Sequence, residues 1–292
     1  MGFPNDVLQI EDSVPGKLVV AAGGVGRNIA ENLARLNVNT KLITAFGDDY
    51  FSKALIKGAK EAGIDISHSL FEKGKAATHL ALMNEKNDMS FGLASLDIIQ
   101  NIKVSALKEQ KKTLETAQII IVDANIPIET LQWLSAQNEF KQVFIDLVSS
   151  HFAKKVKPFI GQFHSLKANR LEAEILTGTN VNTSEDYAKA AYILLKKGVK
   201  QVFITAGDLG AFYCKNEIEG WVDPLPAKVQ NTTGAGDAFM AGIAYASIQN
   251  LSIKKCTQMG VAAASIAVES SVVVNEKMSE KLLKLKIDGK VS

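Results

Sequence analysis

Asn231-Thr232-Thr233-Gly234-Ala235-Gly236-Asp237-Ala238-Phe239 is the stretch on which the reading of this chain turns. Glycines at a helix start leave backbone N–H groups bare, and the dipole of the helix behind them favours an anion there. The helix is predicted over Ala235 to Ile248, with Thr232 and Thr233 as its caps and Asp237 in its first turn. A lone Asp at that place is explained by the dipole alone. Beside a phosphate-binding turn it is also where a base could take the proton of an attacking hydroxyl while backbone amides hold phosphoryl charge.

A second glycine cluster, Gly23-Gly24-Val25-Gly26-Arg27-Asn28, opens another predicted helix, Ile29 to Leu36. As a dinucleotide fingerprint it fails, because Ile29 stands where the third glycine should be. A Walker A loop fails as well: Gly74-Lys75 is followed by Ala76 and has Ser69 in place of the first glycine.

Between the clusters, β-branched runs (Lys41 to Ala45, Ile119 to Asp123, Val143 to Asp146, Val202 to Thr205) alternate with amphipathic stretches. The latter are Phe51 to Ala62, Ile128 to Gln137 and Asp186 to Lys197. Such alternation builds parallel βαβ units, so a three-layer α/β/α sandwich around a mostly parallel sheet is expected. The small-residue stripe from Val261 to Val268 reads as a buried helix. Two segments break the rhythm. Lys17 to Ala22 reads as a strand, and Thr78 to Met83, Asn84 to Asn87 and Asp88 to Ser95 as a hairpin with a polar turn. Residues 1–292 are expected to be a single domain, with lid segments at about 8–22 and 76–96.

The composition is that of a globular chain: 292 residues, 47% hydrophobic, 22% charged and 7% aromatic. A net charge of +2 gives no footprint for nucleic acid or an anionic membrane. Cys214 and Cys256 form no metal or disulfide pattern, and His68, His79, His151 and His164 make no zinc or triad spacing. With no signal-like N-terminus and no apolar run long enough to span a bilayer, a cytoplasmic location is expected.

Three motifs occur in order: Gly23-Gly24-x-x-x-Asn28, Asn169-x-x-Glu172 and Thr232-Thr233-Gly234-Ala235-Gly236-Asp237. Together they resemble those of the ribokinase (phosphofructokinase B) family of sugar and nucleoside kinases. The surroundings of the first two, with the Asp146-Leu147-Val148-Ser149 strand end, are most similar to the pseudouridine kinases of that family. The resemblance implies a ribokinase-like fold with a β lid and gives the residues roles. Asp237 would be the catalytic base, and Gly234, Ala235 and Gly236 the anion hole. Gly24, Asn28 and Lys167 would bind substrate, although a lysine at a strand end is equally read as solvated. Thr205, Gly207, Gly210, Thr233 and Asn275 would line the ATP site. Asn169 and Glu172 would order Mg²⁺ and its waters, while the residues by themselves read as an exposed helix opening. In some relatives a monovalent cation such as K⁺ also acts, here near Asn231. The implied reaction is ATP-dependent phosphorylation of the 5′-hydroxyl of a ribose-containing small molecule, pseudouridine first. Ribokinase, another sugar or nucleoside kinase, and a non-catalytic nucleoside-binding relative are the alternatives. No nucleic acid or membrane partner is implied, and pairing of lid edges suggests a homodimer.

Family members usually begin with a strand ending in Asn-x-Asp ahead of the Gly-Gly motif, and this sequence starts after that point. Either Met1 is internal to a longer reading frame, or the strand is lost, which would leave a gap with unpaired backbone in the sheet.

Overall fold

The computed structural model describes residues 1–6, 13–84, 89–137 and 139–290. In chain order, β1 (Gly2–Pro4) and β2 (Gly16–Leu18) are followed by α1 (Val25–Arg35), β3 (Ala45–Phe46), α2 (Tyr50–Glu61) and β4 (Leu70–Phe71). The hairpin β5 (Thr78–Met83) and β6 (Met89–Ser95) comes next, then α3 (Val104–Glu109) and α4 (Lys111–Thr116). The βα units that follow are β7 (Ile120–Asp123), α5 (Ile128–Ser135), β8 (Val143–Asp146), α6 (Ser150–Val156), β9 (Ser165–Asn169), α7 (Arg170–Thr177), α8 (Ser184–Lys196) and β10 (Gln201–Thr205). A second hairpin, β11 (Ala211–Lys215) and β12 (Ile218–Val222), precedes α9 (Ala235–Ile248), α10 (Ile253–Val268) and α11 (Glu280–Ile287).

The main sheet runs β12-β11-β10-β9-β8-β7. Strands β7 to β10 are mutually parallel, and β11 and β12 join antiparallel. Every residue of β8 is buried, as are the first four of β10, because helices cover both faces. Phe144 and Phe203 enter a core shared with α1, α9 and α10. Their neighbours Val143, Ile145, Val202 and Ile204 enter the core shared with α5 to α8. That alternation produces the expected three-layer sandwich. Helices α9 and α10 approach closely because Gly242 faces the α10 backbone, where an added methyl would lie 2.5 Å from the Met259 carbonyl oxygen, and Gly260 leaves room for the Phe239 and Ile243 side chains.

Local side-chain chemistry sets several helix ends. Asp49 accepts from Ser52 N–H to start α2, and Thr183 with Asp186 forms a capping box at α8. Gly178, in the left-handed region at φ 78°, ends α7.

The small sheet runs β2-β1-β5-β6, with β1 parallel to β5 and with β5 and β6 paired antiparallel as the expected hairpin, its register shifting between Leu82 and Met83. The expected strand from Lys17 is shorter, Gly16–Leu18. The polar turn beyond Asn84 and residues 8–12 of the first lid segment lie outside the described residues. The run expected as a strand over Lys41 to Ala45 is reduced to β3 and an isolated bridge between Lys41 and Asp65. Its ladder is broken where Thr44 N–H turns to the Ser69 hydroxyl instead of a backbone carbonyl.

Among the described residues β7 is the edge strand of the main sheet. Beside it lies a cavity of about 770 Å³, lined by residues 119–123 and 40–44 and by Ile29, Leu33, Ile99, Ile102 and Leu107. No helix among the described residues is long and apolar enough to cross a membrane.

Candidate active site

Four parallel strands end together, and their last residues carry the polar groups. Cross-strand register puts Asp123, Asp146 and Lys167 in one row over β7, β8 and β9, while Asn169 lies beside Thr205 across β9 and β10. In open α/β sheets the crevice at these carboxyl ends is where ligands bind.

Two glycine-started helices point into this crevice. Gly24 precedes α1 at φ 98° and Gly234 precedes α9 at φ 87°, and neither helix has a side-chain cap. The expected capping by Thr232 and Thr233 is therefore not what the structure shows. Asn231 Oδ1 takes the Thr233 N–H at 3.0 Å, and the Thr232 carbonyl takes the Ala235 N–H at 3.3 Å. The amides of Gly236 and Asp237, next in the turn, are the ones an anion could take. Gly26 N–H donates to Asp123 Oδ2 at 3.0 Å, tying the start of α1 to the end of β7.

One hydrogen bond joins the starts of the two helices. Asn28 Nδ2 donates to Asp237 Oδ2 at 2.7 Å, and both residues are buried. The orientation of the Asn28 amide follows from its other end, where Oδ1 accepts from Arg27 Nη2 at 3.0 Å. Arg27 is itself fixed by Glu31 and by the Gly23 carbonyl. Burial pushes the Asp237 carboxyl up to about 7, helped by the charge of Asp146 and opposed by the Asn28 hydrogen bond and Lys167. A carboxyl in that range can accept a proton at neutral pH and release it again.

Lys167 is neither solvated nor free to reach outward. It is buried, and Nζ donates to Asp146 Oδ2 at 2.9 Å. Asn169 and Glu172 form a reciprocal capping box at the start of α7: Asn169 Oδ1 accepts from Glu172 N–H at 2.9 Å and Glu172 Oε2 from Asn169 N–H at 2.8 Å. Glu172 is buried rather than part of an exposed opening, and burial raises its pKa. Thr205, Gly207 and Gly210 form the turn between β10 and β11, with both glycines at positive φ. Asn275, expected beside a nucleotide, uses its amide inside the protein. Its Nδ2 donates to the Ile266 carbonyl at 2.6 Å and its Oδ1 accepts from Lys277 N–H at 3.0 Å, so it anchors the segment that packs Val273 against Gly234. No motif in the sequence gives Asp123, Asp146 or Arg27 a role; the trace of the two acids there is an Asp closing each of two apolar strand runs.

Residues 5–279 match the pfkB family of carbohydrate kinases. The chain belongs to that family. This pfkB kinase is 32% identical over 280 residues to the pseudouridine kinase of Escherichia coli (strain K12), covering 95% of this chain and 90% of that one. A carbohydrate kinase from Agrobacterium tumefaciens superposes with a TM-score of 0.81 at 25% identity, covering 98% of this chain and 92% of the other. The Arabidopsis thaliana ribokinase complexed with ribose and ATP shares the fold at a TM-score of 0.78 and 21% identity, covering 97% and 95%. The protein is thus a sugar or nucleoside kinase, transferring a phosphoryl group to a hydroxyl of a small molecule.

Proposed function

We propose that this kinase uses ATP to phosphorylate the 5′-hydroxyl of a ribose-containing nucleoside, with pseudouridine as its substrate, and that it does so in the cytoplasm. The observation that carries the chemistry is the buried contact between Asn28 and Asp237, which brings both glycine turns to one point. Asp237, ionised, takes the proton of the 5′-hydroxyl as the oxygen attacks phosphorus, and the first-turn amides of Gly236 and Asp237 hold the charge of the transferring group, Ala235 N–H being taken by the Thr232 carbonyl. Gly24 lets the sugar approach the backbone, and the Asn28 amide orients its hydroxyls beside the base. The turn of Thr205, Gly207 and Gly210, together with Thr233, takes the nucleotide. The choice of pseudouridine is supported by the relative at 32% identity.

Asn169 and Glu172 do not fit a direct Mg²⁺ site. Each gives one oxygen to the other's backbone N–H, and no group of three His, Cys, Asp or Glu among the described residues could hold a metal ion. Mg²⁺ carried in on ATP would be held by phosphates and water. A monovalent cation near Asn231 would look to backbone carbonyls, since Asn231 Oδ1 already accepts from Thr233 N–H.

The test is ADP release by the purified chain with ATP, Mg²⁺ and, separately, pseudouridine, uridine, ribose and fructose. Pseudouridine should turn over fastest. A higher kcat/KM on ribose would make the enzyme a ribokinase, and ATP binding without ADP release on any of them would sink the catalytic reading.

We also propose a homodimer through the lid. Register places Leu18, Leu82 and Phe91 in one row across the small sheet and Leu80 opposite Leu93 in the next. Leu18 is 79% exposed, Leu93 71% and Phe91 63%, whereas Ala81 and Met83 on the opposite face are buried. A second copy's lid would cover this apolar face. In sedimentation, Phe91→Glu with Leu93→Glu is expected to turn a dimer into a monomer; an unchanged mass would place the interface elsewhere.

A further inference from the structure

The crevice holds an imbalance that phosphoryl transfer cannot ignore. Four carboxyl groups, those of Asp123, Asp146, Glu172 and Asp237, lie near one another where a polyanionic nucleotide would react. Among the described residues only two lysines are buried, Lys167 and Lys286, and the second pairs with Glu269. Lys167 is the one buried cation in the cluster.

Its position is closely defined. Asp146 and Lys167 are register partners on β8 and β9, joined at 2.9 Å with 2% and 8% side-chain exposure. The other Asp146 oxygen accepts from Val148 N–H at 2.9 Å. Val148, a β-branched residue at φ 65°, is held in a conformation that such residues rarely adopt. The far end of Lys167 lies under the first turn of α9: a methyl on Gly236 would be 3.0 Å from Nζ and 3.5 Å from Cε. Only glycine lets the ammonium come this near to the helix start, one residue before Asp237.

We propose that Lys167, fixed by Asp146, is a positioning residue: it seats the first turn of α9 and sets the charge state of Asp237 rather than binding substrate. The proposal rests on the reading of Asp237 as the base. The groups facing Asp237 are Asp146 on β8, Lys167 on β9, Asp123 on β7 and Asn28 on α1. Asp146 and Asp123 raise its pKa, while Lys167 and Asn28 lower it. The partners of the ion pair therefore act on the base with opposite signs.

The experiment is the pH profile of kcat/KM for Lys167→Met, Asp146→Asn and the double variant, on whichever nucleoside or sugar the wild-type chain phosphorylates. Lys167→Met should move the acid limb up by about one pH unit, a tenfold loss below the limb that recovers in alkali. Asp146→Asn should move the limb down. The double variant, with no stranded buried charge, should return it close to wild type. Lys167→Arg should keep the limb in place. Asp146→Asn is isosteric, so the prediction stays testable even if Lys167→Met fails to fold. A limb that does not move in either single variant, or moves the same way in both, overturns the proposal. A raised KM with an unmoved limb returns Lys167 to the substrate and overturns it too. Failure of the underlying reading looks different: Asp237→Asn would then keep wild-type turnover, whatever Lys167 does.

Discussion

Asp237→Asn is expected to lower kcat by about 10²- to 10⁴-fold, the usual contribution of a positioned general base. The substitution keeps the shape and the hydrogen-bonding partner at Asn28, so the KM values for ATP and acceptor should change little. Loss of kcat without loss of binding is the mark of an interaction made in the transition state. In the wild type, kcat/KM should rise with pH up to about 7 and then level, because the carboxyl must be ionised to accept a proton and its pKa is raised to about 7. The asparagine variant should lack that limb. Stability should move the other way. A carboxyl whose pKa is raised from 3.8 to about 7 on folding supports the native state below its unfolded value and loses that support as pH climbs through the interval. The Tm of the variant relative to wild type should therefore increase between pH 4 and pH 8. A variant that retains kcat, or whose relative Tm falls with pH, would remove Asp237 from the role of base.

Much of the architecture could be read from residue order. Helix α9 spans the predicted Ala235 to Ile248 because two glycines open it and Asn250, at φ 55°, lies just beyond its end. Strand β8 matches its apolar run, and the hairpin of β5 and β6 its alternation. Strand β9 was legible only as the strand end that carries Lys167, because Ser-Leu-Lys-Ala-Asn has the polar residues of a turn; in the fold it pairs on both sides and Lys167 finds Asp146 across the sheet. Strands β11 and β12 escaped although Ala-Phe-Tyr-Cys-Lys and Ile-Glu-Gly-Trp-Val flank Asn216-Glu217, with Asn216 at φ 53°. That is a legible hairpin signal. The motif residues at the crevice were found by pattern, but their partners were not. Which end of the Asn28 amide faces Arg27, and whether Lys167 faces water or Asp146, are three-dimensional facts. A periodicity carries no information about them.

Gly234→Ala should be nearly as damaging as loss of the base, for a reason that lies in the backbone. At φ 87° the residue is in the left-handed region, where a side chain costs about 1–2 kcal/mol. The added methyl would also lie 2.4 Å from the Val273 carbonyl oxygen and 2.8 Å from Val273 Cγ1. Val273 cannot easily yield, because Asn275 anchors its segment to the Ile266 carbonyl at 2.6 Å. The first turn of α9 must move instead, and with it the amides offered to phosphate and the Asp237 carboxylate. Displacements of that order cost about 10²-fold in rate when reacting groups must be aligned. Gly63→Ala is the control. Its φ is 77° but nothing lies within 4 Å of the added methyl, so it should lower Tm through strain alone and leave kcat unchanged. If Gly234→Ala loses only as much Tm as Gly63→Ala and keeps its kcat, the start of α9 tolerates displacement and the anion hole lies elsewhere. If kcat falls about 10²-fold while Tm falls little more than in the control, the glycine serves the transition state by letting α9 begin against Val273.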